Sequence, residues 1–285
     1  MTLINNNEII YRYSKSFFWA SKFLPRNILN KVINIYSFCR IHDDLVDEGL
    51  SLNNSNDVEN LKEVIKSYGV SEKIISELIT GINSDINFKR YNDNYELLRY
   101  CYRVAGIVGL MMVKAMDIKS KEAKYYAIDL GIAMQLTNIS RDIMQDYNNN
   151  RIYIPKDTGI TEDSFKNTTE ESNMKLNKVV ALILLKADIY YNSSLNGFRY
   201  IPIRSRLAIL VALRIYQAIG VKIKKTGSKF LSENIYISKS EKIIIIIKAI
   251  FEFLLFFILP LHNKKHNPYL HKSLKGLIDV NNEKI

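Results

Sequence analysis

The chain has 285 residues, 47% of them hydrophobic, so it is long enough to bury a large core. Forty Lys and Arg residues against 29 Asp and Glu residues give a formal net charge of +11, which suits a polyanionic small molecule or an anionic membrane surface. Nucleic acid is not an expected partner, because the sequence lacks zinc-ligand spacing, an RNP motif and a basic recognition helix.

The cysteines and the first residues bear on the cellular compartment. Cys39 and Cys101 lie in apolar segments, and we interpret them as core thiols in a reducing compartment rather than as a disulfide. The segment Met-Thr-Leu-Ile-Asn-Asn-Asn-Glu has neither the basic and apolar regions of a signal peptide nor the Arg-rich pattern of a transit peptide. We therefore expect a cytoplasmic protein.

Apolar residues recur at helical spacing through most of the chain, and convincing alternation with period two is absent. The pattern predicts an all-α fold, which we interpret as one domain over residues 1–285. The predicted helices cover residues 8–23, 28–48, 58–67, 71–80, 95–115, 121–147, 171–195, 202–225 and 243–259.

The segment 243–259 is the one transmembrane candidate in the sequence. It is shorter than the roughly 20 apolar residues that a span needs, and it contains Lys248 and Glu252. A core helix or a helix on a membrane surface is therefore favoured. The hypothesis of a membrane-anchored interaction protein depends on this segment alone.

The end of the helix predicted over 121–147 carries polar side chains at helical spacing. Two carboxylates four residues apart destabilise a helix by roughly 0.2–0.5 kcal/mol, so a helix that keeps them usually binds a cation. A hard divalent metal is the natural candidate. The side chains on this stripe are Gln135, Asn138, Asp142 and Asp146, with Arg141 beside them.

A second acidic stripe ends the helix predicted over 28–48. Acidic groups at the C-terminus of a helix oppose its macrodipole, so a compensating metal or a longer helix is expected here as well. The side chains in phase on this stripe are Tyr36, Arg40, Asp43 and Asp47. A single stripe of this kind is more often a solvated helix face, but two of them, each in phase with arginine, favour a metal site.

If the two stripes face each other across a helical core, their carboxylates line a common opening. Mg²⁺ would bind there and would be completed by substrate phosphates. The cations Lys15, Arg40, Arg141 and Arg151 would neutralise the phosphate charge. The apolar side chains behind the opening would hold a hydrocarbon and shield a carbocation from water; they include Phe17, Tyr36, Val104 and Ala105.

The sequence also contains two small residues in one helix and four histidines. Gly106 and Gly109 could permit the close approach of either a neighbouring helix or a flat ligand, and the sequence leaves both readings open. The four histidines, His42, His262, His266 and His271, have no catalytic spacing and are assigned no role.

These motifs resemble the squalene and phytoene synthases, the head-to-head prenyl transferases of the all-helical isoprenoid synthase fold. The resemblance covers most of the chain, and its most specific part is N-x-x-R-D-x-x-x-D followed by Arg151-Ile-Tyr153-Ile-Pro155. Tyr13 stands where members of the family often carry histidine. The other matching segments are Ser14 to Phe17 with Leu24-Pro25, Tyr36 to Glu48, Tyr100 to Gly109, and Tyr216 to Gly220.

The resemblance implies a helical bundle around a central cavity and assigns roles to particular residues. It implies that Mg²⁺, or Mn²⁺, is held by Asp43, Asp47, Asn138, Asp142 and Asp146. It implies that Tyr36, Tyr153 and Tyr216 steer a cation or a proton. The implied substrate contacts are Ser14, Lys15, Ser16, Phe17, Arg40, Tyr100, Val104, Gln135, Asn138, Arg141 and Arg151.

The implied reaction joins two prenyl diphosphates through a cyclopropylcarbinyl diphosphate. The sequence is most similar to the bacterial phytoene synthases, which use geranylgeranyl diphosphate in carotenoid biosynthesis. The enzyme alternatives use farnesyl diphosphate and form squalene, dehydrosqualene, presqualene diphosphate or hydroxysqualene, with NADPH required only for squalene.

The remaining expectations concern partners. A non-enzymatic alternative is a scaffold or assembly protein of the same fold. Because the substrate is amphiphilic and the product is a lipid, we expect peripheral contact with a membrane surface. The sequence predicts neither the place of that contact nor the oligomeric state.

Overall fold

The computed structural model describes residues 15–47, 56–166, 169–233, 235–259 and 262–283. All regular elements within these ranges are helical, so the predicted all-α class is confirmed. The α-helices are α1 (Lys15–Ser21), α2 (Arg26–Asp47), α3 (Asn56–Ser67), α4 (Glu72–Asn83), α5 (Asn94–Cys101), α6 (Ile107–Ala115), α7 (Ala123–Arg141), α8 (Ile143–Asn148), α9 (Asp163–Lys166), α10 (Glu170–Leu195), α11 (Ile203–Thr226) and α12 (Lys239–Leu255).

Helix α7 is the central element of the bundle. It packs most extensively against α10, and it also contacts α6 and α11. Apolar and small residues lie on most of its sides, as expected for a helix surrounded by other helices. Ile128, Ile132, Ala133 and Leu136, for example, are fully buried. Side chains on α7 are therefore held in place by neighbours on several sides.

Close contact between α6 and α7 explains the small residues of these two helices. A Cβ atom on Gly109 would lie 2.2 Å from the carbonyl oxygen of Ala127, and a Cβ atom on Gly131 would lie 2.2 Å from that of Ala105. Both distances are far below van der Waals contact, so only glycine fits. Helix packing therefore accounts for Gly109, which also lines the cavity described below.

Two predicted helices are interrupted where the structure departs from the regular α form. The helix predicted over 95–115 contains a π-helical turn at Tyr102–Gly106. The helix predicted over 121–147 ends at Arg141 and resumes at Ile143, because Asp142 has φ −99° and ψ 13°, outside the helical region. The prediction of one continuous helix there is wrong.

The apolar segment 243–259 forms the greater part of α12, which begins earlier and ends earlier than predicted. Its start is fixed by a capping box, in which Ser238 Oγ accepts a hydrogen bond from Glu241 N at 3.2 Å and the Glu241 carboxylate accepts one from Ser238 N at 2.7 Å. None of the described helices combines the length and the apolar character that crossing a bilayer requires. Cys39 and Cys101 are both free thiols, as predicted.

Candidate active site

An apolar cavity of about 320 Å³ runs along one face of α7. Its lining on this helix extends from Ala123 to Asn138, a distance of about 22 Å at 1.5 Å per residue. Most of the lining is hydrocarbon, including Val108, Met112 and Leu130. The cavity therefore has the length and the chemistry to hold an extended apolar chain.

The carboxylate and amide side chains that line the cavity lie at the C-terminal end of α7. Gln135 and Asn138 are the last two lining residues on this helix, and Asp43, near the C-terminal end of α2, lines the cavity with them. The Nδ2 atom of Asn138 donates to Gln135 Oε1 at 3.3 Å. The two sequence motifs thus contribute side chains to the same end of one cavity.

Three aromatic rings from different helices pack together in the cavity wall. Phe17 lies 6.2 Å from Tyr36 and 5.5 Å from Tyr216, measured between ring centroids. Burial, together with the neighbouring Tyr216, raises the pKa of Tyr36 and keeps its hydroxyl protonated. These rings place their π faces and hydroxyl groups beside the apolar chain that the cavity would hold.

Two arginines of the motifs form ion pairs with nearby carboxylates. Arg40 pairs with Asp44, four residues further along α2. Arg141 pairs with Asp142 through two contacts, from Nε to Oδ1 at 2.7 Å and from Nη2 to Oδ2 at 2.5 Å. The contacts to Asp142 raise the pKa of Arg141 although burial opposes this, so the guanidinium remains charged. Both arginines thus keep positive charge at this end of the fold.

Asp146 lies in an acidic environment of its own. Its pKa is raised to about 8, first by burial and then by the nearby carboxylates of Asp142 and Asp85, against the opposing effect of Arg151 and Arg141. A carboxyl group with such neighbours gains from a cation that all three could share. The sequence patterns do not predict a role for Asp85, because it lies in the turn after α4 and has no acidic partner at helical spacing.

Tyr100 and Tyr153 belong to the surroundings of Asp85 rather than to the cavity wall. The hydroxyl of Tyr100 donates to Asp85 Oδ2 at 2.8 Å and lies 3.1 Å from the hydroxyl of Tyr153. The two rings stack with centroids 5.0 Å apart. Burial raises the pKa of both tyrosines, so both hydroxyls stay protonated. Both hydroxyls are therefore held in place beside the acidic cluster, by which we mean Asp85, Asp142 and Asp146.

The predicted site residues fall into three groups, with Arg40 apart from them in its ion pair with Asp44 on α2. Ser14 lies outside the described residues, as do the side chains of Lys15, Ser16 and Asp47. Those in the cavity wall are Phe17, Tyr36, Asp43, Val104, Gln135, Asn138 and Tyr216. Those that hydrogen bonds or electrostatic contacts connect to the acidic cluster are Tyr100, Arg141, Asp142, Asp146, Arg151 and Tyr153.

The donor set at this end of the cavity fits a hard divalent cation. It is composed of carboxylate and amide oxygens, which Mg²⁺ and Mn²⁺ prefer. Within the described part of the chain, the buried Oδ1 atom of Asn138 has no hydrogen-bond partner, so an acceptor is left for a ligand. The raised pKa of Asp146 indicates an excess of negative charge that a cation would balance.

A different cluster also has the spacing of metal ligands. Asp129, His266 and His271 are buried and place one ligand atom each within 4.8 Å of the others. Asp129 Oδ2 and Oδ1 lie 3.0 Å from the Nε2 atoms of His266 and His271. Asp129 is nine residues from Asn138 on α7, which places it half a turn away, on the opposite face from the cavity.

The hydrogen bonds of this cluster favour a proton network over a metal. The backbone N–H of Asn281 donates to His271 Nδ1 at 2.8 Å, so the proton of this imidazole is on Nε2 and points at Asp129. A histidine that binds metal through Nε2 instead needs an acceptor at Nδ1. His266 and His271, which the sequence left without a role, therefore connect the C-terminal segment to α7.

The chain is similar to known proteins over most of its length. The family model described as squalene/phytoene synthase matches residues 10–56 and 53–241. A 15-cis-phytoene synthase of Enterobacter agglomerans is 31% identical over 83% of this chain and 90% of its own length. A 4,4'-diapophytoene synthase of Staphylococcus haemolyticus is 28% identical over 83% of this chain and 92% of its own.

A crystal structure of a dehydrosqualene synthase in complex with ligand superposes with a TM-score of 0.72 at 27% identity, over 88% of this chain and 95% of the other. The chain therefore belongs to the squalene/phytoene synthase family. Enzymes of this family are prenyltransferases that depend on a divalent metal and join two prenyl diphosphates head to head, and the chain is an enzyme of this kind.

Proposed function

We propose that the enzyme condenses two molecules of geranylgeranyl diphosphate into phytoene, through prephytoene diphosphate. Two diphosphates and two protons leave for each phytoene formed, one of each when prephytoene diphosphate forms and one of each when it is converted to phytoene. The observation that carries the proposal is the apolar cavity along α7, about 22 Å long and polar at one end. The likeness to a 15-cis-phytoene synthase supports this choice of substrate.

One continuous hydrophobic core among the described residues supports our proposal of a single domain.

We propose that the polar end of the cavity binds the diphosphates. Asp43, Asp47, Asn138, Asp142 and Asp146 would hold Mg²⁺ or Mn²⁺ there. A bound divalent cation would neutralise the negative charge that develops on the leaving diphosphate. The cations proposed to contact the diphosphate oxygens are Lys15, Arg40, Arg141 and Arg151.

The cavity wall would control the carbocation that remains when diphosphate leaves. Aromatic faces attract a cation within about 6 Å, and Phe17, Tyr36 and Tyr216 pack together in this wall. Hydrocarbon lining excludes water, which would otherwise capture the cation as an alcohol. Tyr100, whose hydroxyl donates to Asp85, would hold that carboxylate in place, and Tyr153 beside it would steer a cation or a proton. The wall thus favours rearrangement and proton loss over hydrolysis.

A second candidate uses farnesyl diphosphate and forms the shorter dehydrosqualene. It is favoured by the likeness to a 4,4'-diapophytoene synthase and to the crystal structure of a dehydrosqualene synthase. The same residues would perform the same steps, since the two reactions differ in the length of the hydrocarbon. The depth of the cavity at its apolar end decides between them.

The deciding experiment incubates the purified enzyme with geranylgeranyl or farnesyl diphosphate and Mg²⁺, with and without NADPH, and separates the products by chromatography. We expect phytoene from geranylgeranyl diphosphate, and the same yield with and without NADPH. A sample with excess chelator is the control and should form no product. Preferential turnover of farnesyl diphosphate would overturn the choice of substrate, and no turnover of either would favour a scaffold protein.

A further inference from the structure

Helix α12 is apolar on both of its sides. Ile246 and Ala249 are buried against the rest of the fold. The opposite side and the turn that follows the helix carry large hydrophobic side chains that are 44–76% exposed. We call these residues the outer patch: Ile243, Ile244, Ile247, Phe251, Leu254, Leu255, Phe257, Ile258 and Leu259. A contiguous patch of this kind marks an interaction site.

The acidic side chains of α12 point away from the outer patch, and lysines lie next to it. The acidic residues of α12 are directed to α11, where Lys222 Nζ contacts Glu241 at 2.9 Å and Arg214 Nε contacts Glu252 at 2.8 Å. The outer side of α12 therefore presents no carboxylate among its described residues. Exposed Lys239 and Lys248 lie on α12 itself, and the exposed Lys264 follows five residues after Leu259, whereas Lys265 pairs with Glu283 at 3.0 Å.

The cavity approaches the same region at its apolar end. Phe198 lines the cavity, and its ring packs against Phe256, with centroids 6.0 Å apart. Phe256 directly precedes the outer-patch residue Phe257, whose ring contacts Phe253 at 5.3 Å. One aromatic contact, between Phe198 and Phe256, therefore separates the cavity lining from the residue that precedes the outer-patch residue Phe257.

We propose that the outer patch docks on an anionic lipid bilayer, with α12 lying in the plane of the membrane interface. An amphipathic surface with large apolar side chains at its centre and lysines at its edges is the form such helices take. Lysine side chains extend along apolar surface while their ammonium groups reach the anionic headgroups. A second copy of the chain fits less well, because a symmetric contact would bring the flanking lysines of both copies together.

The test is co-sedimentation of the purified protein with vesicles, without substrate, so that its outcome is independent of the proposed reaction. The vesicles are either pure phosphatidylcholine or phosphatidylcholine with 30% phosphatidylglycerol. We expect binding to the anionic vesicles that weakens at high salt. The triple variant Ile247→Ser, Phe251→Ser and Leu254→Ser should bind at least about tenfold more weakly, since each change removes exposed apolar surface.

A matched control changes the same number of exposed hydrophobic residues elsewhere. Leu182, Leu185 and Ile189 lie on α10 and are 51–57% exposed, so their triple serine variant should bind vesicles like the wild type. Circular dichroism confirms that both variants are folded. Equal binding by the α12 variant and the wild type would overturn the proposal. So would a dimeric wild type that fails to bind vesicles and becomes monomeric in the α12 variant.

Discussion

Arg141 and Asp142 are neighbours in sequence whose side chains form an ion pair through two contacts, of 2.7 Å and 2.5 Å. Side chains of adjacent residues in a regular helix point about 100° apart, so this geometry depends on the break at Asp142. The ion pair holds a carboxylate and a guanidinium next to each other at the polar end of the cavity. If Asp142 turns to a metal ion, Arg141 becomes available to the diphosphate.

We predict that Asp142→Asn lowers turnover of prenyl diphosphate by about a hundredfold or more in the presence of Mg²⁺. The change removes the negative charge that holds the cation and leaves Arg141 without its partner. Turnover is measured as the rate of diphosphate release. The fold should persist, because asparagine has nearly the same shape as aspartate.

Asp188→Asn on α10 is the matched control for this change. Asp188 pairs with Lys224 at 2.8 Å on the surface, and both side chains are 34% exposed. Loss of such a pair changes little, so turnover should equal that of the wild type. If Asp142→Asn also turns over normally, the metal site that we propose is wrong.

The raised pKa of Asp146 predicts an unusual dependence of stability on pH. Because its folded pKa is about 8 against 3.8 in the unfolded chain, the folded state holds an extra proton between these values. The contribution of Asp146 to the free energy of unfolding therefore falls as pH rises from about 4 to about 8. Urea unfolding with chelator at pH 5, 6, 7 and 8 measures this.

Asp146→Asn removes the titrating group and serves as the comparison. The variant should become progressively more stable than the wild type as pH rises, when metal is absent. With Mg²⁺ present the order should reverse, since only the wild type gains from the cation. Parallel curves for the two proteins from pH 5 to 8 would show that Asp146 does not hold a proton in this range.

Tyr100→Phe tests the hydrogen bond to Asp85. Loss of the hydroxyl should lower the free energy of unfolding by about 1–2 kcal/mol and should also reduce turnover, because Asp85 is then less well oriented. Tyr190→Phe is the matched control: its hydroxyl donates to the Leu270 carbonyl at an equal distance of 2.8 Å, away from the cavity wall. The control should lose stability but not turnover. A similar loss of turnover in both variants would indicate a structural role alone.

Asp129→Asn should lower the free energy of unfolding by about 3 kcal/mol or more. Asp129 is fully buried and accepts hydrogen bonds from two histidines, so the NH2 group of an asparagine there would face the N–H of one of the two imidazoles. Guanidinium unfolding with chelator measures the loss. If one equivalent of Zn²⁺ strongly stabilised the wild type and not the variant, the cluster would be a metal site after all.

The sequence was informative wherever function follows a helical period. Helical spacing selected Asp43 and Asn138 as candidates, and both line the polar end of the cavity. Asp85 was not identified, because a single acidic residue in a turn has no periodic partner. His266 and His271 were not identified either, since their partner Asp129 is more than a hundred residues away. Contacts of that separation are determined by tertiary packing, which one sequence does not reveal.

The π-helical turn at Tyr102–Gly106 joins α5 to α6 and sets the angle between the directions in which side chains of these two helices point. Tyr100, before the turn, is directed at Asp85, whereas Val108, after it, faces the cavity. Each residue of a helix adds about 100° of rotation, so deleting one residue of the turn would restore the α form and swing one side against the other. The number of residues in this turn therefore matters as much as their identity. Deleting one of them should prevent Tyr100 from contacting Asp85 while Val108 still lines the cavity, which no single substitution would do.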